Sequence, residues 1–143
     1  MTTIQVRAAR LGDEAAIEAL VAELDHRISA DQVRRNLDAL DRDGLPQLVA
    51  DLDGRIVGLA GLDRMTALYR IRPVGRITIL VVAADMRGRG IGRLLVETAV
   101  DTARNWGCGM IEVTSNERLQ DAHAYYRHLG FEQTSRRFAL TLD

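Results

Sequence analysis

The residues in this 143-residue chain best suited to chemistry lie together in Arg87-Gly88-Arg89-Gly90-Ile91-Gly92-Arg93. Three glycines strip side chains from a short run of backbone, so its N–H groups can converge on an anion. Arg87, Arg89 and Arg93 add charge-assisted donors around it. Apolar or small residues then recur at 91, 94, 95, 98, 99, 102, 103 and 106, the spacing of one helix face. The glycines therefore open a helix. Its first amides lack internal partners and sit at the positive end of its dipole, which makes the segment a phosphate site. A P-loop is excluded, because G-x-x-x-x-G-K-[ST] needs a lysine and the chain has none. The dinucleotide pattern G-x-G-x-x-G fails too, since the sixth position from Gly88 is Arg93. The plainer reading of the same residues is a tight strand-to-helix turn with solvated arginines.

What positions this loop is a strand before it and a helix after it. Ile77-Thr78-Ile79-Leu80-Val81-Val82 is the β-branched, aliphatic run of a buried strand. The helix over 91–106 stops at Gly107, and Met110-Ile111-Glu112-Val113-Thr114 reads as the next strand. This strand–helix–strand unit should be parallel and right-handed. Upstream, Ile4, Val6 and Ala8 alternate as a first strand, and Gly12-Asp13 caps a helix with Ile17, Leu20, Val21 and Leu24 on one face. Ser29 and Gln32 form a capping box for a second helix, closed by Gly44 and Pro46. Asp53-Gly54 joins strands 48–52 and 55–59 in a hairpin, the second continuing towards Leu68. A helix over about 119–129 ends at Gly130, Phe131-Glu132 opens a strand, and Arg137–Leu142 alternates as a last one. The order is β-α-α-β-β-β-α-β-α-β-β in one domain, residues 1–143. The class is α/β with a mixed, α+β-like sheet.

Composition narrows the function. The chain has no run of about 18 apolar residues, so no membrane span is expected. Met1-Thr2-Thr3-Ile4-Gln5-Val6-Arg7 lacks a basic-then-apolar leader, and a lone Cys108 fits a reducing cytoplasm. A net charge of -1 argues against general nucleic-acid binding. Yet Arg64, Arg70, Arg72, Arg76, Arg87, Arg89 and Arg93 face only Asp85 across their window, which suits one small polyanion.

Arg87-x-x-Gly90-x-Gly92 at a strand–helix junction resembles the pyrophosphate loop of the GCN5-related N-acetyltransferase (GNAT) family. Ala122-His123-Ala124-Tyr125-Tyr126-Arg127-His128-Leu129-Gly130-Phe131 resembles a second segment of that family, A-x-x-F-Y-x-x-x-G-F. The order of elements is also the family's. Thr114-Ser115-Asn116, Arg118, Asp121-Ala122-His123 and Tyr126 are similar to the aminoalkylphosphonate acetyltransferase branch.

The resemblance implies a GNAT fold in which strands 77–82 and 110–114 splay apart to admit acetyl-CoA. It implies that the Leu80-Val81-Val82 edge pairs with the pantetheine amides, with a backbone N–H near Val82 facing the thioester oxygen. The amides of Arg87, Gly88, Arg89, Gly90, Ile91, Gly92 and Arg93 would hold the diphosphate. Tyr126 matches the position that protonates the departing thiolate; packing beside Tyr125 is the other reading of that ring. Free amine is scarce at pH 7, at a cost of about 4.6 kcal/mol for a pKa of about 10.4, so a base is needed. Glu112 matches a proton-relay position but would equally pair with an arginine. His123, three residues before Tyr126, is a further candidate and Asp63 a weaker one. Many relatives carry an asparagine seven residues before the tyrosine. Here that position is Leu119, so either Asn116 makes the cofactor contact or the contact is missing. Arg118, Arg136 or Arg137 would read an anionic group on the acceptor, and Cys108 is a small packed residue rather than a nucleophile.

The expected function is direct acetyl transfer from acetyl-CoA to the primary amine of a small, anionic metabolite. Alternatives are a protein or peptide acceptor, a non-catalytic acyl-CoA-binding module and a nucleotide-binding module. No metal site is expected. The family admits a homodimer, but no interface can be read from the residues.

Overall fold

The computed structural model describes residues 3–114, 120–135 and 137–142. The elements are β1 (Ile4–Ala8), α1 (Glu14–Ala22), α2 (Ala30–Arg42), β2 (Leu48–Leu52), β3 (Arg55–Met65), β4 (Val74–Val82), α3 (Ile91–Asn105), β5 (Met110–Val113) and α4 (Gln120–His128). A 3-10 turn, Ala84–Met86, links β4 to the glycine loop. The described strands form one mixed sheet in the order β1-β2-β3-β4-β5, with only the β4–β5 pair parallel.

Val57 to Leu62 are buried without a break, which a strand shows only when both its faces are covered. On one face lies α3. A Cβ on Gly58 would stand 2.9 Å from Leu95 Cδ1 and 3.2 Å from Ile91 Cγ2, so the missing side chain admits the helix. At the other end of α3, Gly75 meets Ala103 in the same way. Helix α1 contacts β3 and β4 as well, with Ile17, Leu20 and Val21 buried. Among described side chains, Leu62, Ile77, Leu95, Val49 and Val57 are the largest that are fully buried.

The parallel β4–β5 pairing runs only from Val74↔Met110 to Ile77↔Val113, whereas β4 pairs with β3 all the way to Val82. The change falls at a bulge. Leu62 opposes Ile77 and Gly61 opposes Ile79, so Thr78 is an extra residue in β4. Two groups fit that bulge. A Cβ on Gly61 would overlap Thr78 Oγ1 and stand 2.9 Å from Ile79 Cγ2. Buried Gln47 donates to the Leu62 carbonyl at 2.9 Å and accepts from the Leu62 N–H at 2.9 Å, which carries the ladder one rung past the end of β2.

Several expectations need correction. Asp13 stands at the N-cap of α1 but makes no cap bond, because Arg7 takes both its oxygens, at 2.8 and 3.0 Å. Arg7 also reaches Asp51 at 3.1 Å, so one guanidinium joins β1, β2 and the start of α1. Strand β3 stops at Met65 rather than Leu68, and β4 begins three residues earlier than the apolar run suggests. The two strands expected at 131–132 and 137–142 are not formed: residues 131–135 and 137–142 have no regular structure. Alternation describes the two faces of one strand and does not by itself secure a partner, and Phe138, Leu140 and Leu142 stay 93%, 85% and 84% exposed.

The Arg7 guanidinium holds the Asp13 carboxyl below its ordinary value of 3.8. A depressed folded-state pKa contributes stability that is full above the unfolded value and lost as pH falls through the folded one. Asp13→Asn should therefore cost about 2 kcal/mol at neutral pH, and the gap to the wild type should close as pH falls below the ordinary carboxyl value of 3.8. Urea denaturation across that range measures it. Gln47→Leu strips both partners from Leu62 and should lower stability by about 2–4 kcal/mol in the same assay.

Candidate active site

The site is built where β4 parts from β5 and turns into α3. Ala83 N–H donates to the Val57 carbonyl at 2.8 Å, which fixes the phase of the β3–β4 ladder. Antiparallel bonds alternate sides, so Val81 is bonded to Leu59, while the N–H and C=O groups of Leu80 and Val82 turn to the other edge. That edge has no strand partner beyond Ile77 among the described residues. Leu80 and Val82 thus present backbone to the wedge. Val81 does not: its amide belongs to β3 and its side chain is buried.

Past the 3-10 turn, Gly88 and Gly90 adopt φ of +78° and +79°, left-handed conformations that favour glycine. Gly90 is the N-cap of α3 and makes no side-chain cap bond. None of the backbone N–H groups from Gly88 to Arg93 donates to a protein acceptor among the described residues. A Cβ at Gly88 or Gly90 would meet no protein atom within 4 Å. Here is a row of bare donors at a helix N-terminus, which is what a diphosphate needs.

The loop is braced from three sides. Glu23, at the end of α1, accepts from Ala84 N–H at 3.1 Å, and Arg55 grips Asp85 through two bonds of 2.9 and 2.8 Å. Arg87 Nε donates to the Val82 carbonyl at 3.2 Å, with its Nη2 3.9 Å from Glu23. The Arg87 guanidinium is therefore turned towards α1, so its contribution to the loop is its backbone. Arg89 and Arg93 form no ion pair among the described residues.

On α4, Tyr126 lies edge-on to Phe131 at 6.0 Å and to Tyr125 at 6.1 Å. Burial, with Tyr125 beside it, raises the Tyr126 hydroxyl above the ordinary phenol value, so it remains a proton donor at neutral pH. Phe131 is folded back by a bond from its N–H to the Tyr126 carbonyl, with Gly130 at φ +97°. Glu112 is in cross-strand register with Arg76, whose Nε and Nη2 both reach Oε1, at 2.7 and 2.6 Å. Oε2 keeps no protein partner among the described residues. Since Gly75 faces α3, the adjacent Arg76 points to the sheet's other face. Asp63 accepts from the neighbouring Arg64 N–H at 2.8 Å. His123 sits one turn before Tyr126 on α4, partly buried. Asn116, with Arg118 and Leu119, lies outside the described residues, as does Arg136. Arg137 is exposed. Burial raises the Cys108 thiol, which suits a packed residue better than a nucleophile.

Sequence reasoning missed Gly61 and Gln47. Their signal, a glycine in an apolar strand and a polar residue just before one, is too common to single them out.

Residues 13–131 match the family described as Acetyltransferase (GNAT) family. The chain is 31% identical to the aminoalkylphosphonate N-acetyltransferase of Salmonella typhimurium, over 99% of this chain and 94% of that one. Its fold superposes on an acetyltransferase of Trypanosoma brucei with a TM-score of 0.83 at 28% identity, covering 98% of this chain and 100% of that one. It also superposes on the aminoglycoside N-acetyltransferase AAC(6')-Iy in complex with CoA, with a TM-score of 0.85 at 19% identity over 99% and 96% of the two chains, a likeness of fold. The chain belongs to the GNAT family of acetyltransferases and is an acetyl-CoA-dependent N-acetyltransferase. No helix among the described residues is long and apolar enough to cross a membrane.

The wedge depends on Thr78 being accommodated opposite Gly61. Gly61→Val puts branched carbon where Thr78 and Ile79 already stand, so CoA affinity measured by calorimetry should fall at least about tenfold, with a lower melting temperature.

Proposed function

We propose that residues 1–143 form one catalytic domain that transfers the acetyl group of acetyl-CoA directly to the primary amine of a small, anionic metabolite of the aminoalkylphosphonate class. The observation that carries the reading is the open edge of β4 ending beside unbonded amides at the start of α3. Bound acetyl-CoA supplies an activated thioester, so the protein needs no covalent nucleophile. The amides of Gly88 to Arg93 hold the diphosphate, and the free N–H and C=O of Leu80 with the N–H of Val82, whose carbonyl already accepts from Arg87, pair with the pantetheine arm.

The Leu80 N–H, rather than that of Val82, faces the thioester oxygen. Val82 Cγ2 lies 3.7 Å from the Cβ position of Gly92, within the diphosphate cradle, so one residue cannot serve both ends of an extended arm. Leu80 is about 7 Å further towards the wedge's apex. Glu112 uses its free Oε2 to take the amine proton through water while Arg76 fixes the other oxygen. Tyr126 gives its hydroxyl proton to the departing sulfur. His123 is the alternative base. The anionic acceptor is supported by the likeness to the Salmonella enzyme, with Arg118, Arg136 or Arg137 as its reader. The lone Cys108 supports a cytoplasmic setting. Exposed Phe138, Leu140 and Leu142 support a homodimer, since the described residues of one chain give them no cover.

Thiol release from acetyl-CoA, followed with aminoalkylphosphonates, polyamines, amino sugars and peptides, tests the reading. Turnover with aminophosphonates should exceed that with the other amines, and turnover only with peptides would reject the small-molecule acceptor. Tyr126→Phe should lower kcat about 100-fold and leave acetyl-CoA affinity within about threefold. Near-normal turnover would remove Tyr126 from the proton path.

A further inference from the structure

The other tyrosine of the pair has a place in the site that neither its sequence pattern nor the reaction assigns. Tyr125 and Tyr126 are successive on a helix, so their side chains diverge by about 100° and only one can face α3. The one that does is Tyr125. Its hydroxyl oxygen lies 2.6 Å from where a Cβ on Gly92 would stand, and Val82 Cγ2 lies 3.7 Å from the same point. The hydroxyl therefore sits where the open edge of β4 meets the first turn of α3, and it explains why position 92 carries no side chain. It makes no hydrogen bond to the protein among the described residues. The ring is anchored edge-on against Tyr126, and about a third of the residue remains exposed.

We infer that Tyr125 is a cofactor-binding residue whose O–H donates to the diphosphate oxygen nearest the pantetheine arm, alongside the Gly92 and Arg93 amides. This rests on the acetyl-CoA reading of the site above and deepens it. A donor is what the position requires, because everything else facing that point, the amides and the Arg93 cation, also favours negative charge. Burial raises the Tyr125 hydroxyl above the ordinary phenol value, with Arg93 offsetting part of the rise, so the proton needed for donation is retained at neutral pH. Tyr125 is thus assigned to binding, and Tyr126 keeps the proton transfer.

Tyr125→Phe removes only the oxygen, and a thermal melt within a few degrees of the wild type shows that the variant folds. Calorimetric titration with CoA should give a dissociation constant about tenfold weaker than the wild type's, the scale of one charge-assisted hydrogen bond. With S-acetylpantetheine, which lacks the diphosphate, wild type and variant should have the same KM within twofold, and kcat with acetyl-CoA should change less than twofold. Unchanged CoA affinity, equal weakening towards S-acetylpantetheine, or a kcat loss without a change in affinity would each overturn the assignment. Wild-type protein that fails to bind CoA at all would instead remove the underlying reading of the site.

Discussion

One extra residue in one strand governs the rest of this structure. Without the bulge at Thr78, β4 would stay in step with both neighbours, and β5 would cover the edge that a cofactor needs. With it, β4 keeps its bonds to β3 and leaves β5 behind after Ile77. A bulge weakens a sheet unless its surroundings absorb it, and here they do so on both sides. Gly61 yields the volume that Thr78 requires, and the Gln47 side-chain amide supplies the hydrogen bonds that β2 is too short to give Leu62. The wedge is therefore set from behind, by residues of β3 and the segment preceding β2.

The glycine loop is held on a similar plan. None of its N–H groups from Gly88 to Arg93 donates to a protein acceptor among the described residues, so its shape must be imposed by what surrounds it. Glu23 on the Ala84 amide, Arg55 on Asp85 and Arg87 on the Val82 carbonyl do this from α1, β3 and the loop's own first residue. The Arg55–Asp85 pair is more than half exposed and contributes little to stability. Its two parallel bonds instead fix the direction in which the chain enters the turn. Donors held in place beforehand are an arrangement that favours an anion without rearrangement.

How much of this could be read from the chain depended on whether the signal was local. The Asp53-Gly54 turn, the amphipathic period of α3 and the glycine loop each follow from neighbouring residues, and the structure has them within a few positions. The capping role of Asp13 failed because a residue of another strand, Arg7, competes for the same carboxylate. The terminal alternation of Phe138, Leu140 and Leu142 looked like a strand because period 2 describes one strand's faces and says nothing about an available edge. The division of labour between Leu80, Val81 and Val82 was hidden for a different reason. It lies in the hydrogen-bonding phase of the ladder, which no side chain encodes and which the Ala83–Val57 bond reveals.

The Arg76–Glu112 pair shows how geometry can matter where energy does not. Both side chains are about one-third exposed, so their attraction is screened and its net contribution to folding is small. The pair nevertheless sits one rung before the strands separate, bridging β4 and β5 at the apex of the wedge. Two donors on a single oxygen leave Glu112 one acceptor in a defined direction, whereas a symmetric fork across both oxygens would occupy the carboxylate. An ion pair and a base are therefore compatible readings of this residue. The guanidinium that pairs with the carboxylate also orients the oxygen that remains.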